Sequence, residues 1–295
     1  MKVKELFEEY LVYYEKIGQS KKTIKNDCAF LFGSLSHSIH EMDIDSLQKT
    51  DVAKVIEAGR RHGRYGAQRS VLVLRKFLRF AKGMGHPAPF NWREIAVPRV
   101  PQKENEYLRE AELETLLDAI DITAPAGLRT RALLEVLYAS GLRVGEAILL
   151  NREDIDWDNK SAIVVNIKSK ERQMVNFTDR SLSWLKRYLE SRKDDNPALF
   201  ISGRARMVRG SSIWYLRTHI QPLAEKLGIR KTIKHYIFRK TFVTHLIQRG
   251  ADIIVVRDLA RHRSERTTLQ SYAAIDRERS KGIHAAIMND LLGDS

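Results

Sequence analysis

The distribution of proline constrains the architecture of this chain more than any other feature. Four of its seven prolines lie between residues 87 and 101, and the polar run QKENEY follows them. Proline lacks a backbone N–H and its ring disrupts a helix interior, so this segment predicts a break between folded regions. We therefore expect a linker at 87–107 between two domains, at 1–86 and 108–295. A length of 295 residues agrees with two domains.

The spacing of apolar residues predicts an all-helical bundle for the first domain. Between residue 3 and about residue 84, apolar side chains recur at intervals of three and four in four stretches. Polar or glycine-bearing breaks separate these stretches at 18–20, 36–45 and 63–66. Such breaks favour the end of one helix and the start of the next.

The second domain has a mixed pattern. Helical spacing at 109–120 and 128–141 is followed by β-branched runs between 155 and 177, which the turn formers Asp158 and Asn159 interrupt. Helical patterns then continue to the C-terminus. The predicted fold class is mainly α with a small antiparallel β-sheet (α+β).

Charge and composition narrow the possible partners and the compartment. A net charge of +14 and a pI near 9.8 predict a polyanionic partner, and double-stranded DNA is the leading candidate. The alternative that charge alone allows is a basic surface that is only solvated.

The single cysteine, Cys28, excludes an internal disulfide and fits a reducing compartment. An apolar signal core and a run of about 18 apolar residues are both missing, which predicts a cytoplasmic protein.

Candidate catalytic residues lie close together at 235–275, in the segment HYIFRKTFVTHLIQRGADIIVVRDLARHRSERTTLQSYAAI. A tyrosine has an ordinary pKa of about 10 and is a poor nucleophile at neutral pH, so its target phosphate must be surrounded by cations. Arg239, His262 and the earlier Arg143 are the candidate cations for Tyr272. Planar guanidinium groups suit this task because each can meet two phosphate oxygens.

Four motifs resemble those of the tyrosine recombinase and phage integrase family. ASGLRVGEAILLNREDID, at 139–156, resembles its first arginine motif, and FRKTF resembles its second. LARHRS resembles the segment with the family histidine, and TTLQSYA the segment with the family tyrosine. YYEKIGQSKKTIKNDCAFLFGSL looks like part of the family's DNA-clamping domain, and the chain from about residue 108 looks like its catalytic domain, in a Xer-like arrangement.

The resemblance implies roles for four residues. Arg143 and Arg239 clamp the phosphate, and Tyr272 attacks it to form a 3′-phosphotyrosine bond. His262 hydrogen-bonds a nonbridging oxygen and helps to accept the tyrosine proton. Tyr272 follows His262 by ten residues, where many members of the family have nine. The alternatives are surface arginines, a half-buried tyrosine and a core or surface histidine.

Two further site positions have alternatives. The family protonates the leaving 5′ oxygen with a lysine on a turn of its small sheet, which points to IKSKER; Lys168 is the first choice and Lys170 the second. The lysine could instead only contact the DNA backbone. Tyr236 occupies the place, three before Arg239, where the family usually has histidine, and the neighbouring His235 is the alternative there.

Two further residues and two features of assembly complete the prediction. Glu146 orients a neighbouring cation or backbone group, or is only solvated on a helix surface, and His245 packs inside its domain. The resemblance implies four protomers on two DNA sites. An apolar stripe in the C-terminal segment predicts packing on a neighbouring protomer, or alternatively on its own domain, through Ile283, Ile287, Leu291 and Leu292.

The implied reaction conserves the energy of the cut DNA linkage in the phosphotyrosine bond. A hydroxyl from another strand then reverses the attack and reseals the DNA, and the exchange of strands passes through a Holliday junction. We therefore expect no ATP, metal or other cofactor, and the sequence has no G-x-x-x-x-G-K-[ST] or H-E-x-x-H motif. Site-specific recombination is the predicted function. The alternatives are a DNA-binding relative that has lost catalysis and a type IB topoisomerase-like relaxing enzyme.

Overall fold

The computed structural model describes residues 1–31, 37–86, 90–100, 106–165, 171–201 and 213–262, together with 288, 289 and 292. The chain divides into two compact units, Met1–Lys103 and Glu104–Ser295. Each has its own hydrophobic core. None of the helices in the described part of the chain has the length and apolarity that a membrane crossing requires.

The first unit is a helical bundle. Its longest helix, α5, packs against α1, α2 and α4 and buries one apolar face, as the three- and four-residue spacing predicts. A buried carboxylate connects three of these helices: Asp27 Oδ2 accepts hydrogen bonds from Tyr10 Oη at 2.9 Å and Lys76 Nζ at 2.8 Å. The helices of this unit are α1 (Val3–Lys16), α2 (Lys21–Leu31), α3 (His37–His40), α4 (Lys49–Arg60) and α5 (Gly66–Gly83).

The segment at 36–45, predicted as a break, contains the one-turn helix α3 and ends within a 3₁₀ turn at Ile44–Ser46. Ile39 and Ile44 are buried in the core of the bundle. A single turn is too short to show helical periodicity, and its stability comes from burying these two side chains.

The proline-rich region is partly packed onto the unit that precedes it. Ile95 is buried in the first core, and Arg75 Nε donates a hydrogen bond to the Trp92 carbonyl oxygen at 3.1 Å. Leu108, in contrast, is buried in the second core, and its N–H donates to Thr241 Oγ1 at 2.9 Å.

The second unit combines helices with a small antiparallel sheet, and this confirms the predicted fold class. Its described strands pair in the order β1-β2-β3, and α7 packs between α9 and α12. The strands are β1 (Ile155–Asp156), β2 (Ser161–Val165) and β3 (Arg172–Asn176). The helices are α6 (Glu110–Asp118), α7 (Pro125–Ser140), α8 (Val144–Ala147), α9 (Asp179–Glu190), α10 (Ile213–Tyr215), α11 (Gln221–Lys226), α12 (His235–Gln248) and α13 (Ile253–Leu259).

The helices of the second unit begin and end where local chemistry favours it. Pro125 occupies the first turn of α7, where its missing N–H costs nothing. Gly228 and Gly250, whose positions in the sequence predict helix C-caps, follow α11 and α12 with φ of +76° and +88°. A π-helical turn at Leu216–Ile220 joins α10 to α11 just before Pro222, which cannot donate a backbone hydrogen bond.

Candidate active site

Arg143 lies at the junction between α7 and α8. Gly141 ends α7 in the left-handed region, with φ of +59°. The Arg143 N–H donates to Glu146 Oε2 at 2.9 Å, and its guanidinium donates to Glu146 Oε1 at 2.8 Å. The Arg143 side chain is 41% exposed, whereas that of Glu146 is only 2% exposed. A buried carboxylate therefore holds a guanidinium that solvent, and hence a ligand, can reach.

Arg239 is buried on α12 and connects two segments of the unit. Its guanidinium donates hydrogen bonds to the carbonyl oxygens of Gly141 and Ala260. A guanidinium has five N–H donors, so donors remain for a phosphate. Burial, together with the charges of Arg143 and Arg261, lowers the pKa of Arg239 to about 9, so the group still carries its charge at neutral pH.

The chain after α13 brings Arg261 and His262 to the same place. Arg143 Nη2 donates to the Arg261 carbonyl oxygen at 3.4 Å, and Arg261 Nη2 donates to the Gly141 carbonyl oxygen at 3.0 Å. The charges of Arg239, Arg143 and Arg261 all act on the His262 ring. The structure thus brings Arg143, Arg239 and His262 together although they are far apart in sequence.

Gly141→Ala is expected to destabilise the second unit by about 2 to 5 kcal/mol, because a Cβ costs about 1 to 2 kcal/mol at positive φ and overpacking adds about 1 to 3 kcal/mol. The added Cβ would lie 2.5 Å from the Phe242 ring. Urea unfolding followed by tryptophan fluorescence measures this, since Trp157, Trp184 and Trp214 belong to the second unit.

Gly228→Ala is the matched control for this substitution. Gly228 also has positive φ, but no atom lies within 4 Å of an added Cβ. We expect a loss of only about 1 to 2 kcal/mol there. Equal losses for the two variants would show that the contact with Phe242 is unimportant.

His262 is held in its neutral form. Burial lowers the pKa of its imidazole to about 4, and the positive charges of Arg239, Arg143 and Arg261 act in the same direction. A neutral imidazole at pH 7 has one nitrogen that accepts a proton. Before DNA binds, the imidazole is therefore neutral but, with a pKa of about 4, only weakly basic.

This shift makes the stability of the unit dependent on pH. The unfolded histidine has a pKa near 6.5, so between about pH 6.5 and pH 4 the unfolded chain binds more protons at this position. The free energy of unfolding should therefore fall as the pH falls through that window. Between pH 7 and pH 5 we expect His262 to account for roughly 1 to 2 kcal/mol of the loss. Urea unfolding of the parent and of His262→Gln at both pH values measures it; an identical pH dependence would contradict the prediction.

The two candidates for the variant histidine position differ in exposure. Tyr236 is 53% exposed at the start of α12, and its phenol acts electrostatically on the Arg239 guanidinium. Lys240 Nζ lies 5.6 Å from the centre of the Tyr236 ring. His235 is buried.

The remaining predicted residues fall into two groups. Glu146 is buried, which excludes simple solvation on a helix surface, and His245 is tied into the domain by contacts of 2.9 Å with Tyr138 Oη and with the Leu108 carbonyl oxygen. Lys168, Lys170 and Tyr272 lie outside the described residues. The stripe Ile283, Ile287, Leu291 and Leu292 also lies outside them, apart from Leu292.

Arg261 is the site residue that sequence patterns do not single out. It is buried, and its side chain contacts Gly141 and Glu146. Its only sequence signal is its position directly before His262.

Several known proteins are similar to this chain. The family model described as "Phage integrase family" matches residues 106–279. Tyrosine recombinase XerD of Ralstonia nicotianae is 32% identical over 225 residues, covering 74% of this chain and 72% of the relative. Tyrosine recombinase XerD of Pseudomonas aeruginosa is 34% identical over 218 residues, covering 72% of each chain.

The fold has solved counterparts. The Tn1549 transposon integrase, in a complex with a circular intermediate DNA, matches with a TM-score of 0.76 and 16% identity, covering 95% of this chain and 99% of that one. The relatives are named tyrosine recombinases, so the comparisons favour neither the binding-only nor the relaxing alternative. The chain therefore belongs to the phage integrase family and is a Xer-like tyrosine recombinase, an enzyme of site-specific DNA recombination.

Proposed function

We propose that this recombinase cuts one DNA strand by attack of Tyr272 on a phosphate that Arg143 and Arg239 hold. The observation that carries the proposal is the convergence of Arg143, Arg239 and His262 around the end of α7. As the tyrosine oxygen bonds to phosphorus, the nonbridging oxygens gain negative charge, which preorganised guanidinium donors stabilise. The 5′ oxygen leaves, and the phosphate stays bound to Tyr272 as a 3′-phosphotyrosine.

Proton transfers accompany both bond changes. Neutral His262 accepts the proton of Tyr272 or donates its own N–H to a nonbridging oxygen. Its lowered pKa keeps the imidazole neutral, as the first role requires, but also makes it a weak base until the negative phosphate raises that pKa. Lys168 donates a proton to the leaving 5′ oxygen, with Lys170 as the alternative donor. Tyr236 donates its hydroxyl to the phosphate, in keeping with its exposure and its position one helical turn before Arg239 on α12.

The helical bundle is proposed to clamp the duplex. The start of α2 carries three exposed lysines, Lys21, Lys22 and Lys25. Lysines that neutralise phosphates release condensed counterions, which favours binding at low salt. Two such clamps on each of two recombination sites make a tetramer, in which strands are exchanged through a Holliday junction.

A covalent adduct tests the proposal. The protein is incubated with a nicked suicide duplex that carries its own recombination site, selected by the protein from random duplexes. We expect a protein–DNA adduct that resists denaturation and, with intact sites, recombinant products. No adduct would overturn the proposed chemistry. An adduct without recombinant products would overturn the exchange step and favour a relaxing enzyme.

The C-terminal segment is proposed to join protomers. Deleting residues 277–295 is expected to leave binding to a single site intact and to reduce pairing of two sites, because an apolar stripe that packs on a neighbour would be lost. Band-shift assays with one and two sites measure both quantities. Unchanged pairing would contradict this role.

A point substitution sharpens the same prediction. Leu292 is 70% exposed, so its side chain is accessible to a partner. Leu292→Ser should therefore weaken pairing. Asn289→Ser is the matched control, since Asn289 is also exposed but lies outside the apolar stripe.

A further inference from the structure

Arg261 has an unusual backbone conformation for its residue type. Its φ is +52°, and among the described residues Lys160, at φ of +51°, is the other non-glycine residue with positive φ. A side chain with a Cβ costs about 1 to 2 kcal/mol in this region, which glycine avoids. Such strain persists where the surrounding contacts compensate for it.

The Arg261 side chain supplies those contacts to the segment that carries Arg143. It is buried, and its guanidinium donates to the carbonyl oxygens of Ser140 at 3.3 Å and Gly141 at 3.0 Å. Its Nη2 also lies 3.6 Å from Glu146 Oε2, and the other oxygen of that carboxylate binds the Arg143 guanidinium. Arg261 therefore fixes both the chain before Arg143 and the carboxylate that orients it.

The backbone at Arg261 also accepts hydrogen bonds from the two candidate clamp arginines, Arg143 and Arg239. Its carbonyl oxygen accepts from Arg143 Nη2 at 3.4 Å, and the preceding carbonyl, of Ala260, accepts from Arg239. His262 follows directly in the chain. One residue thus contacts the Arg143 segment through its side chain and determines the path of the backbone that presents His262.

We propose that Arg261 is a positioning residue for DNA cleavage, which holds Arg143 and His262 in the arrangement that receives the phosphate. This inference rests on the proposed function, because it takes those two residues as the groups that meet the substrate. Arg261 itself acts through them. A displacement of about 1 Å at such groups costs roughly 100-fold in rate.

Arg261→Gly is the first test. Glycine adopts φ of +52° without strain, so a loss of activity in this variant does not arise from backbone strain. We expect the single-turnover rate of adduct formation to fall about 10- to 100-fold, while the Kd for the DNA site changes less than about threefold. Lys160→Gly is the matched control: it relieves the same backbone strain on the β1–β2 turn and should leave the rate unchanged.

The pKa of His262 gives a second measure of the role of Arg261, and it can be determined without DNA. The charged groups acting on His262 are Arg143, Arg239 and Arg261. NMR titration of the imidazole in the free protein should show a higher pKa in Arg261→Gly, because one of the three charges is gone. A residue that only stabilised the fold elsewhere would leave this titration unmoved.

Arg261→Lys separates position from charge. Lysine tolerates this backbone conformation, as Lys160 shows. Its ammonium would lie near the Glu146 carboxylate, which favours the charged form despite burial, so the His262 pKa should stay low. One ammonium cannot, however, reproduce the planar contacts to Ser140, Gly141 and Glu146. We expect the cleavage rate to remain reduced.

The possible results are distinguishable. A parent-like rate in Arg261→Gly, or a full recovery of rate in Arg261→Lys, would overturn the positioning role; the second result would assign the effect to charge alone. A loss of DNA affinity at an unchanged rate would also overturn it. Failure of the parent protein to form an adduct would instead overturn the proposed function, and the His262 titration would still test the link to Arg261.

Discussion

Tyr272→Phe is expected to abolish the covalent protein–DNA adduct while leaving the protein folded and able to bind its site. Phenylalanine keeps the ring but removes the oxygen that would form the phosphotyrosine bond, and no other group replaces a nucleophile that is absent. Incubation with the suicide duplex, followed by denaturing electrophoresis, measures the adduct. A band-shift assay on the intact site checks binding.

Tyr107→Phe is the matched control for this substitution. The Tyr107 hydroxyl accepts a hydrogen bond from Gln248 Nε2 at 3.1 Å, so its removal costs about 1 kcal/mol of stability and should leave adduct formation intact. A persistent adduct in Tyr272→Phe would mean that another tyrosine attacks. Tyr236 would then be the first candidate, because it is exposed beside Arg239.

Arg239→Lys is expected to lower the cleavage rate by about 100- to 1,000-fold with little change in DNA affinity. The guanidinium donates to Gly141 and Ala260 and still has donors for a phosphate, whereas an ammonium has three donors and no planar fork. Burial also disfavours the charged form of a lysine. Single-turnover kinetics on the suicide duplex give the rate, and a binding titration gives the Kd.

Arg249→Lys is the control for an arginine at the end of the same helix. Its side chain is 72% exposed and pairs with Glu110 on the surface, an interaction worth about 1 kcal/mol or less. We expect a rate within about twofold of the parent. A similarly small effect of Arg239→Lys would show that positive charge alone suffices at the buried position.

The sequence predicts the fold well where elements are long or chemically marked. The small sheet follows from β-branched runs around Asp158 and Asn159, and the ends of α11 and α12 follow from Gly228 and Gly250. The one-turn helix α3 is different. Its stability depends on tertiary burial of Ile39, which four residues of sequence do not encode as a periodic pattern.

The site likewise combines residues that sequence motifs indicate with residues that only tertiary packing brings in. Arg143, Arg239 and His262 lie in short motifs, and the structure places them close together. Sequence patterns assign no role to Arg261, because its contact with Gly141 joins residues 120 positions apart. Burial of Glu146 likewise depends on the packing around α8. The roles of all six predicted site residues stay predictions: Arg143, Lys168, Tyr236, Arg239, His262 and Tyr272.

The acceptor shared by Arg239 and Arg261 is a main-chain atom, the Gly141 carbonyl oxygen. Every amino acid supplies that oxygen, so a change of side chain removes it only by altering the path of the chain. A substitution near this turn that leaves the path of the chain unchanged therefore keeps the acceptor, whereas a residue inserted or deleted between α7 and α8 would move the acceptor away from both arginines. The length of this connection thus determines whether both arginines keep their shared partner.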